Sequence, residues 1–328
     1  MICDFYRQVI QLLKTEPIAL ATIISIKGSV PREIGAKMVI LENGHTIGTI
    51  GGGAGEAKVI QHARVVLSTG DKQLVEIDLS GSPQRETQGV CGGIMQVLVD
   101  RWTGDWAIAL VQQILTHLEA GQPVTLVTPL TAAPLPHLIT SNSAPRTPHS
   151  IFTETLQPPP LLLIVGAGHV GEQLAKVADL IGFQVAVQDD RPEWANRDRY
   201  PQAAHIFNES ITDTLAQLTH HLHLFATLVT RGYQCDRAAL QALLHRELAC
   251  DYIGMIGSQK RVKQVYQALA TEVSPERLAT VYAPIGLDIG ALTPEEIAVS
   301  IAAELILVRR GGSGKPLSKK VGVLSFEF

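Results

Sequence analysis

The segment LLLIVGAGHVGEQLAKVA, residues 161–178, constrains the fold more than any other part of the chain. The apolar run LLLIV predicts a buried strand, and the pattern after the glycines predicts a helix over residues 170–181. Between them, Gly166, Gly168 and Gly171 form a G-x-G-x-x-G motif. In this context the first glycine permits a tight turn, the second lets backbone approach a pyrophosphate, and the third brings helix against strand. These three glycines are therefore predicted to bind a dinucleotide cofactor.

Asp189 lies at the end of the next predicted strand, FQVAVQDD. A carboxylate at this place accepts hydrogen bonds from a ribose diol and repels a 2′-phosphate. We therefore predict that Asp189 binds cofactor and that NAD, rather than NADP, is the matching ligand. A Rossmann unit that binds no nucleotide is the alternative.

Strands and helices alternate through the second half of the chain. AAHIF, LFATLVT and DYIGMIGS predict further strands, and DRAALQALLHREL and QKRVKQVYQALA predict helices. This alternation predicts a Rossmann-like, doubly wound parallel sheet. The last helix has a predicted capping box at Thr293 and Glu296 and a predicted stop at Gly311.

A proline-rich stretch separates the two halves. Eight of the eighteen prolines lie from Pro129 to Pro160, and proline removes backbone donors and stiffens the chain. We predict an N-terminal domain over 1–130, a linker over 131–160, a Rossmann-like domain over 161–312 and a tail over 313–328.

The N-terminal half predicts a smaller mixed α/β domain. It reads as an opening helix, the strand ALATIISIKG, a hairpin turning at Asn43-Gly44, a glycine-rich loop opening a helix, and two more strands. In the loop GTIGGGAGE, Gly51, Gly52 and Gly53 precede the helix. Their N–H groups would form a nest for an anion, or the loop is only a tight strand-to-helix turn.

Cys91 stands between glycines in GVCGG, followed by Gly92 and Gly93. Small neighbours leave its sulfur approachable, and loop N–H groups favour thiolate; a buried, inert cysteine is the alternative. The four cysteines include no C-x-x-C pair, which argues against a disulfide framework or a thiolate zinc site. HHLH, residues 220–223, is predicted to be a solvated helix face, so no metal site is assigned.

The net charge of −4 and the lack of a basic patch argue against nucleic acid as a partner. No apolar run reaches the length of a membrane span, and the N-terminus lacks the pattern of a signal peptide. We therefore expect a cytoplasmic protein without a membrane partner.

The residues around the dinucleotide motif do not suggest hydride transfer. A dehydrogenase needs a general acid or base, often a histidine paired with a carboxylate. In the second half His169 lies inside the glycine loop, and no other histidine has an evident acidic partner in the sequence.

Together these motifs resemble the XdhC/CoxI family of accessory proteins for xanthine dehydrogenase. The resemblance is carried by GSVPREIGAKM, GTIGGG and CGG in the first half, and by GAGHVG, DDRPEWA, YIGMIGSQKRV, PIGLDIG and TPEEIAVSIAAELI in the second. It implies a chaperone that binds the molybdenum cofactor, helps to sulfurate it and inserts it into a xanthine-dehydrogenase-type molybdenum hydroxylase. It also implies a cysteine desulfurase as sulfur donor, and a maturation factor more than a stand-alone enzyme.

The chain departs from the family at one position. Many relatives have His or Cys directly after the first Gly-Gly pair, where this chain has Gly53-Ala54. Cys91 is then the candidate sulfur or molybdenum contact. We expect a homo-oligomer; the mono- or dinucleotide form of the molybdopterin and the binding of NAD stay open. An NAD-dependent oxidoreductase of unknown substrate is the alternative function.

Overall fold

A computed structural model of the chain describes residues 2–79, 92–131, 134–139, 150–219 and 221–319. The chain divides into two compact units, Met1–Pro158 and Pro159–Phe328. Within the described ranges, no helix has the length and apolar character needed to cross a membrane.

The first unit is built on a five-stranded antiparallel sheet in the order β3-β2-β1-β5-β4. Its elements are α1 (Ile2–Leu13), β1 (Ile18–Lys27), β2 (Lys37–Ile40), β3 (Thr46–Gly48), α2 (Gly53–Thr69), β4 (Gln73–Asp78), β5 (Ile94–Trp102) and α3 (Gly104–Glu119). The predicted opening helix, the hairpin at Asn43-Gly44 and the helix after the glycine loop are confirmed.

Both faces of this sheet are covered. Ile18 and Leu20 of β1 pack in one hydrophobic cluster with α1 and α3, while Ala19 and Ala21 pack in a second cluster with α2. Successive side chains of a strand point to opposite faces, so β1 contributes to both clusters.

A three-stranded antiparallel sheet, in the order β7-β6-β8, follows α3. Its strands are β6 (Val124–Pro129), β7 (His137–Ile139) and β8 (Ile151–Leu156). Two of them lie inside the segment predicted as a linker over 131–160, so that prediction needs correction there. The prediction rested on the proline content of the whole stretch, which gives no sign of two short strands between the prolines. Their pairing with β6 satisfies backbone groups that a linker would leave unpaired.

The second unit contains a five-stranded, wholly parallel sheet in the order β11-β10-β9-β12-β13. Its elements are β9 (Leu161–Val165), α4 (His169–Leu180), β10 (Gln184–Gln188), β11 (His205–Phe207), α5 (Ile211–Gln217), β12 (Leu224–Leu228), α6 (Tyr233–Leu244), β13 (Tyr252–Met255), α7 (Gln259–Leu269), α8 (Pro275–Leu278) and α9 (Pro294–Arg310). Hydrophobic clusters cover both faces of the sheet. The predicted doubly wound, Rossmann-like fold is confirmed.

Two local predictions in this unit have different outcomes. The capping box at Thr293 and Glu296 is present, and α9 ends at Gly311 in the left-handed conformation, as predicted. The prediction of a helix at HHLH is wrong, because α5 ends at Gln217 and residues 221–223 belong to the connection before β12. His220 lies outside the described residues.

Candidate functional site

The glycine loop between β9 and α4 gives each of its glycines a different role. Gly166 has φ +109°, and a Cβ there would lie 2.6 Å from the carbonyl oxygen of Val229. A Cβ on Gly171 would collide with the carbonyl oxygen of Gly166. Gly168 differs from both, because it has φ −74° and a Cβ on it would meet no atom within 4 Å. The backbone of Gly168 thus borders open space at the N-terminus of α4.

Asp189 holds this loop in place. It is buried, and its Oδ2 accepts a hydrogen bond from the Ala167 N–H at 2.9 Å. Arg191 donates from Nε to Oδ1 and from Nη2 to Oδ2, both at 2.8 Å. Burial acts to raise the pKa of Asp189, but the hydrogen bonds from Arg191 and Ala167 act against it and leave that pKa below its ordinary value. A ribose bound to Asp189 would therefore have to replace one of the Arg191 contacts.

Asp190 and Arg231 lie beside this loop and were not singled out from the sequence. The Asp190 side chain is 59% exposed, and its Oδ1 lies 2.6 Å from Arg231 Nη1. The ion pair therefore joins the segment after β10 to the segment after β12. Both residues line a pocket of about 210 Å³, whose other lining residues include Gly166, Asp189, Thr230 and Cys235.

The motif DDRPEWA continues this site through an aromatic stack. The guanidinium groups of Arg191 and Arg199 lie 4.9 and 4.3 Å from the ring centre of Trp194, and the His169 ring meets Trp194 edge-on. Arg199 Nη2 also donates to Glu172 of α4 at 2.8 Å. Cation–π contacts and ion pairs thus fasten the segment after β10 to the first turn of α4.

A buried carboxylate supports the other side of the pocket. Asp236, in the first turn of α6, is fully buried; it accepts from Thr230 Oγ1 at 2.6 Å and from Arg261 Nε at 2.5 Å. Burial raises the pKa of Asp236 above its ordinary value, and this effect outweighs the contacts with Thr230 and Arg261, which lower the pKa. The motif YIGMIGSQKRV therefore supplies an arginine that holds the start of α6.

In the first unit, three sequence motifs meet at one turn. A Cβ on Gly51 would collide with the ring of Pro31, and a Cβ on Gly93 would collide with the carbonyl oxygen of Ser29. A Cβ on Gly28 would lie 2.9 Å from the carbonyl oxygen of Gly92. The glycine loops of GTIGGG and CGG therefore pack against the turn of GSVPREIGAKM, with backbone surfaces in contact.

The anion nest predicted at Gly51, Gly52 and Gly53 is partly filled by the chain itself. Glu56 Oε1 accepts from the N–H groups of Ile50 and Gly52, both at 3.0 Å, and from Thr49 Oγ1. Burial would raise the pKa of Glu56, but these hydrogen bonds outweigh it and place that pKa below its ordinary value. A phosphate at those two N–H groups would have to displace Glu56.

Part of this glycine surface stays open. Cβ atoms on Gly52, Gly53 or Gly92 would meet nothing within 4 Å, and all three residues are exposed. Cys91, the predicted sulfur contact next to Gly92, lies outside the described residues. The open backbone at these three glycines is therefore the described part of the predicted first site.

The other cysteines and the described histidines form no metal cluster. In the part of the chain that the structure describes, no group of three or more His, Cys, Asp or Glu could hold a metal ion. His223 Nδ1 lies 2.9 Å from Asp251 Oδ2, a partner that only the fold brings near. Cys3, Cys235 and Cys250 are free thiols, and burial raises the pKa of Cys250 to about 11.

The fold and these two glycine sites define a two-unit α/β protein with a Rossmann half. Family models match both halves: the XdhC Rossmann domain over residues 162–305 and the XdhC and CoxI family over residues 12–78. The chain belongs to the XdhC and CoxI family.

Several relatives are similar to the chain over nearly its whole length. It is 30% identical over 320 residues to a protein of Bacillus subtilis named as a probable xanthine dehydrogenase subunit, covering 90% of this chain and 94% of that one. It is 25% identical to the molybdenum cofactor insertion chaperone PaoD of Escherichia coli, covering 91% and 85% respectively. A crystal structure described as a xanthine dehydrogenase from Bacillus halodurans matches with a TM-score of 0.81 and 28% identity, covering 96% of this chain and 99% of the other.

Proposed function

We propose that the chain binds the molybdenum cofactor, helps to sulfurate it and inserts it into a xanthine-dehydrogenase-type molybdenum hydroxylase. The name of the E. coli relative supports a role in maturation, and the name of the B. subtilis relative supports a link to xanthine dehydrogenase. In this proposal the chain acts in the cytoplasm as a homo-oligomer, and a cysteine desulfurase supplies the sulfur.

The observation that carries the proposal is the open backbone at Gly168. It stands at the N-terminus of α4, where N–H groups have no partner inside the helix and the helix dipole favours an anion. Gly166 and Gly171 are needed for close packing, whereas the space next to Gly168 is free of protein atoms. This open space would let a phosphate or pyrophosphate group approach the backbone at the start of α4.

The adjoining pocket would hold the nucleotide end of such a ligand. Its volume of about 210 Å³ is below the roughly 300–1,000 Å³ of pockets that enclose whole drug-sized ligands, so it suits a part of a dinucleotide. Asp190 and Arg231 are paired with each other, so a ribose on Asp190 or a phosphate on Arg231 would bind in exchange for that ion pair. Asp189 stays a predicted ribose contact, reached if Arg191 releases it. The ligand would be a dinucleotide form of the cofactor or a separate NAD.

The first unit would bind the pterin. The two N–H groups occupied by Glu56 do not fit a phosphate as they stand, so the exposed backbone of Gly52, Gly53 and Gly92 would be the surface that meets the flat ring system of the pterin. Cys91 directly precedes Gly92 in the chain and would supply a soft sulfur donor toward molybdenum. When bound, the cofactor would supply the metal and dithiolene chemistry, and this chain would supply binding and protection.

The experiment is a loading assay on the full chain. The protein is produced in cells that make the molybdenum cofactor, purified without oxygen, and analysed for molybdenum by mass spectrometry and for pterin by fluorescence. We expect both in similar molar amounts. Gly168→Val should lower both several-fold, because the side chain fills the space beside the α4 N-terminus.

Gly312→Val is the matched control. A Cβ on Gly312 would make only ordinary contacts with Leu307, at 3.7 Å or more, so this variant should keep its loading. A parent protein without pterin and molybdenum would contradict the proposal. A nicotinamide absorbance change with a substrate would favour the NAD-dependent oxidoreductase instead.

A further inference from the structure

Helix α9 exposes a narrow stripe of residues along its whole length. Glu295, Val299, Ala303, Ile306 and Arg310 follow one another at spacings of three or four residues, which places them on one face of a helix. Val299 is 50% exposed and Ile306 38% exposed. The opposite face, with Ala298, Ile301 and Leu305, is buried in the cluster that also contains residues of α4.

The stripe is symmetric about its own middle. Val299 and Ile306 are equally far from a point between residues 302 and 303, and so are Glu295 and Arg310. Ala303, at the centre, has a small side chain. A two-fold axis through this point would place Val299 against the partner's Ile306, and Glu295 against the partner's Arg310.

The two charged ends of the stripe have no partner in the described residues. Glu296 is engaged in the capping box with Thr293, and Arg309 donates to the Ile181 carbonyl and stacks on Phe183. Glu295 and Arg310 form no ion pair or side-chain hydrogen bond within the described ranges. Among the described residues, nothing therefore competes with a contact from a second chain for these two charges.

We propose that this stripe binds a second copy of the chain, with the two α9 helices antiparallel around a two-fold axis near Ala303. An isologous contact needs a self-complementary surface, and this one has apolar residues in the middle and opposite charges at its ends. The small side chain of Ala303 lets the helix axes approach closely at the crossing point. Each dimer would contain two Glu295–Arg310 pairs and two Val299–Ile306 contacts.

The expected dimer is reversible. A single helix pair buries less than the roughly 1,600 Å² of a standard stable interface, so the oligomeric state should depend on concentration. Sedimentation velocity on the full chain, from about 1 to 200 µM, a range that brackets the micromolar affinities of such contacts, should show a monomer–dimer equilibrium.

Charge reversal tests the geometry. Glu295→Arg and Arg310→Glu should each weaken dimerisation by about tenfold or more, because two attractive pairs become repulsive. The double variant Glu295→Arg/Arg310→Glu should dimerise again. An equimolar mixture of the two single variants should form the heterodimer, while each alone stays monomeric. Lys263→Glu, a charge reversal on the exposed face of α7, is the control and should dimerise like the parent.

The double variant also separates this contact from an effect on the helix itself. Both reversals oppose the helix dipole, so damage to α9 would add in the double variant, whereas an interhelical pair would be restored. Unchanged thermal unfolding of each variant verifies the fold. A parent that is monomeric at every concentration, a dimer insensitive to both reversals, or a double variant that fails to dimerise would each overturn the proposal.

Discussion

Alanine at Gly166 and valine at Gly168 should differ strongly in their effect on stability, although the two glycines are only two positions apart. At Gly166 the φ of +109° disfavours any side chain, at a cost of about 1–3 kcal/mol. The added Cβ would also lie 2.6, 2.8 and 2.9 Å from backbone atoms of Val229 and Thr230, and overpacking against such rigid neighbours costs about 1–3 kcal/mol more. Gly166→Ala should therefore lower the free energy of unfolding by about 2–6 kcal/mol.

Gly168→Val should cost far less, although valine is larger. The φ of −74° suits any residue, and the space around the added Cβ is empty to 4 Å. Replacing glycine where the backbone is compatible restricts the unfolded chain, so the change in stability should stay within about 1 kcal/mol. Its effect should fall on ligand binding, because the side chain occupies the space beside the α4 N-terminus.

Thermal unfolding followed by circular dichroism, with calorimetric titration of NAD, distinguishes the two variants. For a unit of this size each kcal/mol shifts Tm by about 2–4 °C, so Gly166→Ala should lower the Tm of the second unit by at least about 4 °C. Gly168→Val should keep Tm and reduce any nucleotide affinity of the parent. Gly166→Ala with an unchanged Tm, or a destabilised Gly168→Val, would refute the reasoning from these backbone contacts.

Two further predictions concern the first unit. Cys91→Ser should lower molybdenum and pterin loading with little change in Tm, because oxygen is a harder donor than sulfur. Cys250→Ser is the control and should leave loading unchanged. If Cys91→Ser instead lowers Tm and keeps normal loading per folded molecule, Cys91 is a packing residue. Glu56→Gln should lower the free energy of unfolding at pH 7 by about 1 kcal/mol. A carboxylate with a lowered pKa stabilises the fold above its ordinary pKa, and this stabilisation is lost as the pH falls through the folded-state pKa. Denaturant unfolding should therefore show the difference in free energy of unfolding between parent and variant shrinking to zero in that acidic range. A difference that does not depend on pH would contradict this role of Glu56.

Local patterns predicted much of the second unit. The strand, glycine spacing and helix of residues 161–181 are neighbours in the chain, so their geometry follows from propensity and from the needs of a tight turn. The capping box of α9 is likewise contained in four consecutive residues. The family could be predicted from the sequence for the same reason. Each family motif is a short run of neighbouring residues, and the motifs follow one another in order along the chain.

Other features were not predicted, because they leave only a weak pattern in the sequence or depend on residues far apart in the chain. Strands β7 and β8 are short and lie among prolines, and only their pairing with β6 identifies them as a sheet. Lys37, the first residue of β2, places its ammonium group 2.5 Å from Glu154 of β8, and both side chains are largely buried. That ion pair joins residues more than a hundred positions apart, where no local pattern reports it.

The sequence by itself determined the glycine loop before α4 and the parallel sheet of the second unit. Both depend on residues close together in the chain and on the spacing of hydrophobic residues. Tertiary structure decided how the charged groups are used. It paired Asp189 with Arg191 and the Ala167 N–H, turned Glu56 back onto the Ile50 and Gly52 N–H groups, and brought Arg231 to Asp190. A carboxylate accepts from whichever donor the folded chain brings within hydrogen-bond distance, and that distance is set by packing of the whole unit.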